Sequence, residues 1–196
     1  MTDQLLWFAT RGAGVVSLLL ASAVVVLGLL TTARWQRPGW PRFLTAELHR
    51  TVALVSVAFT ALHVVTAILD PYAQLGILAA LVPLASSYRP VAVAWGVLSV
   101  DLLLAVMLTS LLRDRIGYRT WKAVHWLAYA GWPLAVLHSI TAGSDATAPW
   151  MLLVDAVAIG SVVAALAFRL TMPASPRAIL ADVSAGPAQA GRGTRR

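Results

Sequence analysis

Histidine occurs only four times in the 196-residue chain, and all four lie inside long apolar segments. His49 and His63 belong to the segment at 45–69, and His125 and His138 belong to the segment at 120–141. An ionisable side chain inside a membrane span is costly and usually has a function. Imidazole binds transition metals, carries protons and serves as an axial ligand of haem iron. These are the chemistries that the four histidines offer.

The spacing of the histidines favours the last of these chemistries. Fourteen residues separate His49 from His63, and thirteen separate His125 from His138. A helix rises about 1.5 Å per residue, so each pair covers about 20 Å of a hydrocarbon core about 30 Å thick. If the two helices run in the same direction, His49 faces His125 and His63 faces His138. Two facing imidazoles can ligate one haem iron, so the spacing predicts one haem near each membrane face.

The helical phase of the second pair does not match that of the first. At about 100° per residue, a step of 14 returns to within about 40° of the same face, whereas a step of 13 misses it by about 140°. Pro133 lies between His125 and His138, with Gly131 nearby. A proline inside a helix removes a hydrogen bond and kinks the chain. We therefore expect a kink or a local change of twist in this segment.

The composition identifies an integral membrane protein. The chain is 59% hydrophobic and 12% charged, with a mean hydropathy of +0.78. It has no cysteine, which excludes disulfides and thiolate metal sites. Neither a GxGxxG motif nor a Walker loop is present, so nucleotide binding is not indicated. The net charge of +7 is interpreted as membrane topology and not as binding of nucleic acid.

Five apolar segments are long enough to cross a bilayer. They lie at about 12–32, 45–69, 91–112, 120–141 and 149–170. The segment 73–85 is too short to span and is interpreted as an interfacial or re-entrant cap. The predicted fold is an all-α integral membrane protein, a five-helix transmembrane bundle with bis-histidyl haem sites between two codirectional helices. The predicted divisions are an outer N-terminal lead at 1–10, a membrane domain at 11–171 and a disordered cytoplasmic tail at 172–196.

The distribution of basic residues predicts the orientation. With five spans, one side of the membrane carries thirteen lysines and arginines and the other carries only Arg11 and Arg89. The thirteen are Arg34, Arg37, Arg42, Arg50, Arg113, Arg115, Arg119, Lys122, Arg169, Arg177, Arg192, Arg195 and Arg196. The positive-inside rule then places the N-terminus outside and the C-terminus in the cytoplasm. His49 and His125 form the inner pair, and His63 and His138 form the outer pair.

Several charged residues are candidates to support these sites. Arg50, Arg119 and Lys122 lie near the inner histidines, where they either pair with haem propionates or are ordinary positive-inside residues. Arg89 and Arg11 lie on the outer side, where the positive-inside rule does not expect arginine, which indicates a specific anionic partner such as a propionate or an acidic substrate.

Two carboxylates fall within the spans. Asp101 either relays a proton or hydrogen-bonds a ligand histidine, and the alternative for a carboxyl in a span is a hydrogen bond to nearby serines, which also applies to Asp155.

The histidine arrangement resembles the ferric reductase-like transmembrane domain. That family includes NADPH oxidases, ferric-chelate reductases and the membrane haem subunit of the bacterial methionine sulfoxide reductase system. The matching segments are LHRTVALVSVAFTALH and VHWLAYAGWPLAVLH, and the resemblance covers roughly residues 10–170. It implies two b-type haems. The larger oxidases and ferric reductases also carry one more span and a cytoplasmic flavin and nicotinamide domain, which this chain lacks, so a separate electron donor is expected.

The resulting hypothesis is a membrane-embedded b-type cytochrome, the transmembrane haem subunit of an oxidoreductase, with no catalytic residue beyond its haem ligands. Its donor is either a cytoplasmic flavoprotein or a quinol. Its acceptor lies outside and is a ferric chelate, oxygen or a periplasmic or extracellular protein. Two alternatives remain open: a quinol-linked di-haem cytochrome, and a non-redox protein that uses histidine to transport metal or protons.

Overall fold

The computed structural model describes residues 2–33, 42–71 and 75–171, and within these ranges it consists of helices joined by turns, without strands. The predicted basic loop at 34–41 and the predicted disordered tail at 172–196 lie outside the described residues. The helices are α1 (Thr2–Thr32), α2 (Arg42–Leu69), α3 (Ile77–Leu81), α4 (Pro90–Leu111), α5 (Arg113–Ile116), α6 (Tyr118–His125), α7 (Ala128–Ala142) and α8 (Pro149–Thr171).

Four of the described helices are long and apolar enough to cross a membrane. They are α1, α2, α4 and α8, and their spanning windows have mean hydropathies between 2.3 and 2.6. The chain is therefore a multi-pass membrane protein. Helix α1 begins at Thr2, well before the predicted start near Gly12, so the N-terminal lead is part of the first helix.

The predicted span at 120–141 is divided in the structure. Helix α6 ends at His125 and α7 begins at Ala128, and each is too short to cross a bilayer alone. The two residues between them, Trp126 and Leu127, keep right-handed helical dihedrals. The segment 118–142 therefore continues as one helical column, here called the α6–α7 column. Counting this column as a fifth transmembrane element is a proposal.

The tight turn in this column changes the rotation about the helix axis between His125 and His138. The backbone N–H groups of Leu127, Tyr129 and Ala130 each donate to the carbonyl three residues earlier. Such 3₁₀ bonding turns the chain by about 120° per residue instead of about 100°, so each tightened residue adds about 20°. The added rotation reduces the mismatch of about 140° between His125 and His138. Pro133, which cannot donate a backbone hydrogen bond, lies one turn further on inside α7.

The long helices pack as two antiparallel pairs. Helix α1 packs along α2, and α4 packs along α7, while α8 and α7 both contact α1. Leu18, Met151 and Ala158 form part of the small buried core between α1, α7 and α8. Trp132 packs against this core and donates its indole N–H to Ser22 Oγ at 2.9 Å. The two pairs leave α2 and the α6–α7 column facing each other across the histidines.

The predicted cap at 73–85 is only partly described. Residues 72–74 lie outside the described part, and the remainder contains the single short helix α3 between α2 and α4. Arg89 then adopts a left-handed conformation with φ 41°, and Pro90 starts α4 at a position where its missing N–H is harmless. The described part of the segment is too short to span, as expected.

Candidate functional site

The four histidines meet as two facing pairs. The ring centroids of His49 and His125 are 6.3 Å apart, with their planes inclined at 61°. The ring centroids of His63 and His138 are 6.1 Å apart, with an inclination of 72°. In each pair one ring comes from α2 and the other from the α6–α7 column. This is the pairing by level that the spacings of 14 and 13 predict.

The distance within each pair suits one shared metal ion. Two imidazole nitrogens that each bind a metal at about 2.0–2.1 Å place their ring centroids on the order of 6 Å apart. Among the described residues, no group of three His, Asp or Glu side chains could hold a metal ion. A structural or catalytic zinc site takes three or four protein ligands, so two imidazoles fit such a site poorly. They fit an iron whose other ligands come from a macrocycle.

A glycine and a carbonyl on α1 hold the ring of His63. The Nδ1 atom of His63 lies 2.8 Å from the carbonyl oxygen of Thr10. A Cβ built on Gly14, four residues later, would lie 3.0 Å from the same ring. Side chains on a helix tilt toward its N-terminus and cover the preceding turn. Because Gly14 has no side chain, the turn that contains the Thr10 carbonyl is bare and the imidazole can reach it.

Two further histidines are held in the same way. His49 Nδ1 lies 3.0 Å from the Val24 carbonyl, and a Cβ on Gly28 would lie 3.4 Å from its ring. His138 Nδ1 lies 2.9 Å from the Ala92 carbonyl on α4, and a Cβ on Gly96 would lie 2.7 Å from its ring. We call this arrangement, a histidine Nδ1 on the carbonyl four residues before a glycine, the glycine–carbonyl clamp.

The clamp determines which nitrogen of the imidazole ring is available to bind a metal. A carbonyl oxygen can only accept a hydrogen bond, so Nδ1 carries the proton in each clamped histidine. Its Nε2 atom then keeps a lone pair for a metal. A histidine that ligates a metal almost always donates its other N–H to a carbonyl or carboxylate in this manner, which fixes the orientation of the ring. The clamps of His49, His63 and His138 therefore have the form of the hydrogen bonds that orient histidine ligands in metal sites.

The sequence carries a signal for two of the clamps that our sequence analysis missed. Gly14 and Gly28 are fourteen residues apart, as are His49 and His63. Because α1 and α2 are antiparallel neighbours, equal spacing places Gly14 beside His63 and Gly28 beside His49. A search for glycines that repeat the histidine spacing on an adjacent apolar segment would have found both.

His125 is the exception among the four. Its Nδ1 atom is buried and has no hydrogen-bond partner among the described residues. Its ring stacks instead on the indole of Trp121, with the centroids 4.9 Å apart and the planes inclined at 33°.

The predicted cationic residues at the inner level are exposed. Arg50, Arg119 and Lys122 have exposed side chains, and the Lys122 ammonium lies 5.8 Å from the centroid of the Tyr118 ring. They lie on the same helices as His49 and His125, at the end of the bundle where the inner pair is found. Their pairing with an anionic group remains a prediction.

The two outer arginines have partners within the chain. Arg89 donates to the carbonyl oxygens of Thr141 at 2.9 Å and Gly143 at 3.4 Å, where α7 ends. Cationic groups are favourable at this end of a helix, because the last carbonyls lack helical partners. Arg11 forms a salt bridge of 2.7 Å with Asp145. The anionic partner expected for Arg11 is thus a carboxylate of the chain itself.

The two intramembrane carboxylates occupy different surroundings. Asp155 is 4% exposed and accepts a hydrogen bond from Ser139 Oγ at 2.9 Å, and its Oδ2 atom has no partner in the described part of the chain. It fits the interpretation of a serine-bonded carboxyl. Asp101 is exposed on α4. At His49, His63 and His138, backbone carbonyls occupy the position in which Asp101 is predicted to support a ligand histidine.

The fold defines the class of the protein: a multi-pass, all-helical membrane protein that presents paired histidines between its helices. Residues 13–136 match the family described as ferric reductase like transmembrane component, and the chain belongs to this family. The matched region contains His49, His63 and His125 and ends two residues before His138. Comparison with curated proteins and with solved structures gives no match. The family makes the chain a membrane electron-transfer module, in agreement with the resemblance seen in its histidines.

Proposed function

We propose that the chain is a b-type cytochrome that binds two haems between α2 and the α6–α7 column and carries single electrons across the membrane. The observation that carries this proposal is the pair of histidine separations, 6.3 and 6.1 Å between ring centroids, at two levels of one bundle. Either separation suits one shared metal ion, and the clamps leave Nε2 available in three of the four rings.

The residues divide into two sites. His49 and His125 would hold the inner haem iron, and His63 and His138 would hold the outer one. When bound, haem supplies a reversible one-electron couple, and the protein's part is to bind, orient and insulate it. Helices α2, α6 and α7 would supply the ligands, while α1 and α4 hold the rings of His49, His63 and His138 through the clamps. Arg50, Arg119, Lys122 and Arg89 are proposed to balance propionate charge, the first three at the inner site.

The orientation is proposed from the charges at the two ends of the bundle. At the end that contains His125, exposed cationic side chains cluster on α5 and α6. At the opposite end, Arg11 is neutralised by Asp145 and Arg89 is bonded to helix carbonyls. Most of the exposed positive charge therefore lies on one side, which the positive-inside rule assigns to the cytoplasm. The N-terminus is then outside and the C-terminus inside.

The proposal is tested by the spectrum of the protein purified from cells with ample haem. We expect a low-spin, six-coordinate haem b spectrum and about two haems per chain, because each histidine pair would hold one iron with two imidazoles. Haem content is measured by pyridine haemochrome assay against protein concentration. A colourless protein, or a high-spin spectrum with an open iron position, would contradict the proposal and favour the metal or proton transport alternative.

The electron donor is proposed to be a separate flavoprotein that docks on the exposed cationic residues of α5 and α6. Complementary charge raises the association rate and makes it depend on salt. Replacing Arg115 and Arg119 by Gln should slow haem reduction by a candidate flavoprotein about 10-fold at low salt and much less at high salt. The measurement is stopped-flow reduction of the haem bands in membranes.

The matched control for docking is the Arg115→Lys, Arg119→Lys variant, which keeps both charges and should behave like the wild type. Arg113 is left unchanged because it contacts Trp121. Equal rates of haem reduction for the wild type and both variants at both salt concentrations would contradict the proposed docking surface. Reduction by a quinol alone, at the rate seen with the flavoprotein, would replace the flavoprotein donor with the quinol.

A further inference from the structure

Helix α4 cannot form a clamp for His125. The helix contains no glycine after Gly96, so every turn near the inner level is covered by side chains. Thirteen residues beyond Gly96 is Thr109, and thirteen is also the number that separates His138 from His125. At this position the Thr109 hydroxyl donates to the Ala105 carbonyl, four residues earlier, at 2.7 Å. The carbonyl that a fourth clamp would use already has a side-chain donor.

The unclamped ring is supported by stacking instead. Trp121 precedes His125 by one helical turn, the spacing at which side chains on a helix meet. Its indole lies 4.9 Å from the imidazole, centroid to centroid, with only 33° between the ring planes. The other three histidines have no such aromatic contact in the described structure apart from their facing histidine. His125 is thus oriented by the face of the Trp121 ring, whereas the other three histidines are oriented by a hydrogen bond.

Trp121 is itself fixed from two further directions. Its indole N–H donates to Ser110 Oγ on α4 at 3.2 Å. The guanidinium of Arg113 lies over the indole at 4.6 Å from the ring centroid, within the range of a cation–π contact. These contacts connect α4 and α5 to His125 through one tryptophan. A side chain held by these two contacts can transmit a fixed orientation to the imidazole that it contacts.

We propose that Trp121 is the positioning residue of His125 and does by stacking what the glycine–carbonyl clamp does for His49, His63 and His138. This inference rests on the proposed function, in which His125 ligates the inner haem. An imidazole whose Nδ1–H is not donated to a carbonyl is a less basic ligand, and its rotation about the metal bond is set by its ring contacts. The inner haem should therefore respond to the residue at position 121, and the outer haem should not.

The experiment compares Trp121→Leu, Trp121→Phe and Ser110→Ala in the full-length protein, with electron paramagnetic resonance of the oxidised haems and haem content as readouts. The background variant His63→Ala, which should retain only the inner haem, assigns the inner signal. We expect Trp121→Leu to shift the low-spin inner signal and to lower haem content from about two toward about one per chain. Trp121→Phe keeps an aromatic face, so it should retain both haems with a smaller shift.

The matched control is Trp126→Leu, which removes an exposed tryptophan that contacts Tyr129 and not a histidine. It should leave both signals unchanged. An inner signal that is the same in Trp121→Leu and the wild type overturns the positioning role, as does an equal shift in Trp126→Leu. If Trp121→Leu does not accumulate, unshifted inner signals in both Trp121→Phe and Ser110→Ala overturn it. A wild-type protein without haem is a different result, because it refutes the proposed function.

Discussion

Replacing His63 by Ala should remove one of the two proposed haems, and replacing His138 by Ala should remove the same one. Each iron would depend on two imidazoles from different helices, so loss of either leaves a single axial ligand and weak retention. Haem content should fall from about two to about one per chain in both variants, and the remaining low-spin signal should be the same in both. His49→Ala and His125→Ala should instead share the loss of the inner signal.

Double variants make this test sharper. Because His63 and His138 act on one site, His63→Ala combined with His138→Ala should lose no more haem than either single variant, a strong departure from additivity. His63→Ala combined with His125→Ala should lose both haems. If His49→Ala and His138→Ala shared a phenotype, α2 and the α6–α7 column would not run in the same direction, and the five-span arrangement would be wrong.

The pairing of the histidines could be predicted from the sequence because it depends on few quantities. Helical rise and the residue count between histidines determine their levels, and apolar segments of spanning length determine the helices that carry them. The levels depend only on the helices that carry the histidines, so the early start of α1, which carries none, does not change them. The family match over residues 13–136 agrees with the class that these patterns predict.

The supports of the histidines could not be predicted in the same way. Which carbonyl a ring reaches depends on the register between neighbouring helices, and hydropathy does not specify register. The division after His125 depends on local 3₁₀ bonding near Pro133, for which the sequence indicates only that a distortion is expected. The missing clamp of His125 becomes visible only when the other three are seen together.

Glycine-to-alanine substitutions in the clamps should lower haem content. The same substitution at a glycine outside the clamps should leave haem content unchanged. An exposed glycine inside a helix is normally less favourable than alanine by about 1 kcal/mol. Gly12 and Gly160 have nothing within 4 Å of an added Cβ, so Gly12→Ala and Gly160→Ala should leave haem content unchanged and hold or raise stability. They are matched controls, since each lies in an apolar spanning helix.

In the clamps the added methyl group contacts an imidazole. The loss of haem should be larger where the distance from the methyl group to the ring is shorter. The distance to the ring is 2.7 Å at Gly96, 3.0 Å at Gly14 and 3.4 Å at Gly28. Overpacking at such contacts costs about 1–3 kcal/mol, and here it also pushes the imidazole off its carbonyl. Gly96→Ala should therefore lose most of the outer haem, Gly14→Ala part of the same haem, and Gly28→Ala little of the inner one.

The measurement is haem content per chain, together with the temperature at which haem is released on heating. A larger effect at Gly28 than at Gly96 would contradict the contact geometry. Full outer haem content with an unshifted signal in Gly96→Ala would show that the His138 ring does not need this clamp. A loss confined to the inner haem in Gly14→Ala would mean that α1 and α2 pair in another register, because in the present register Gly14 lies against His63 and Gly28 against His49.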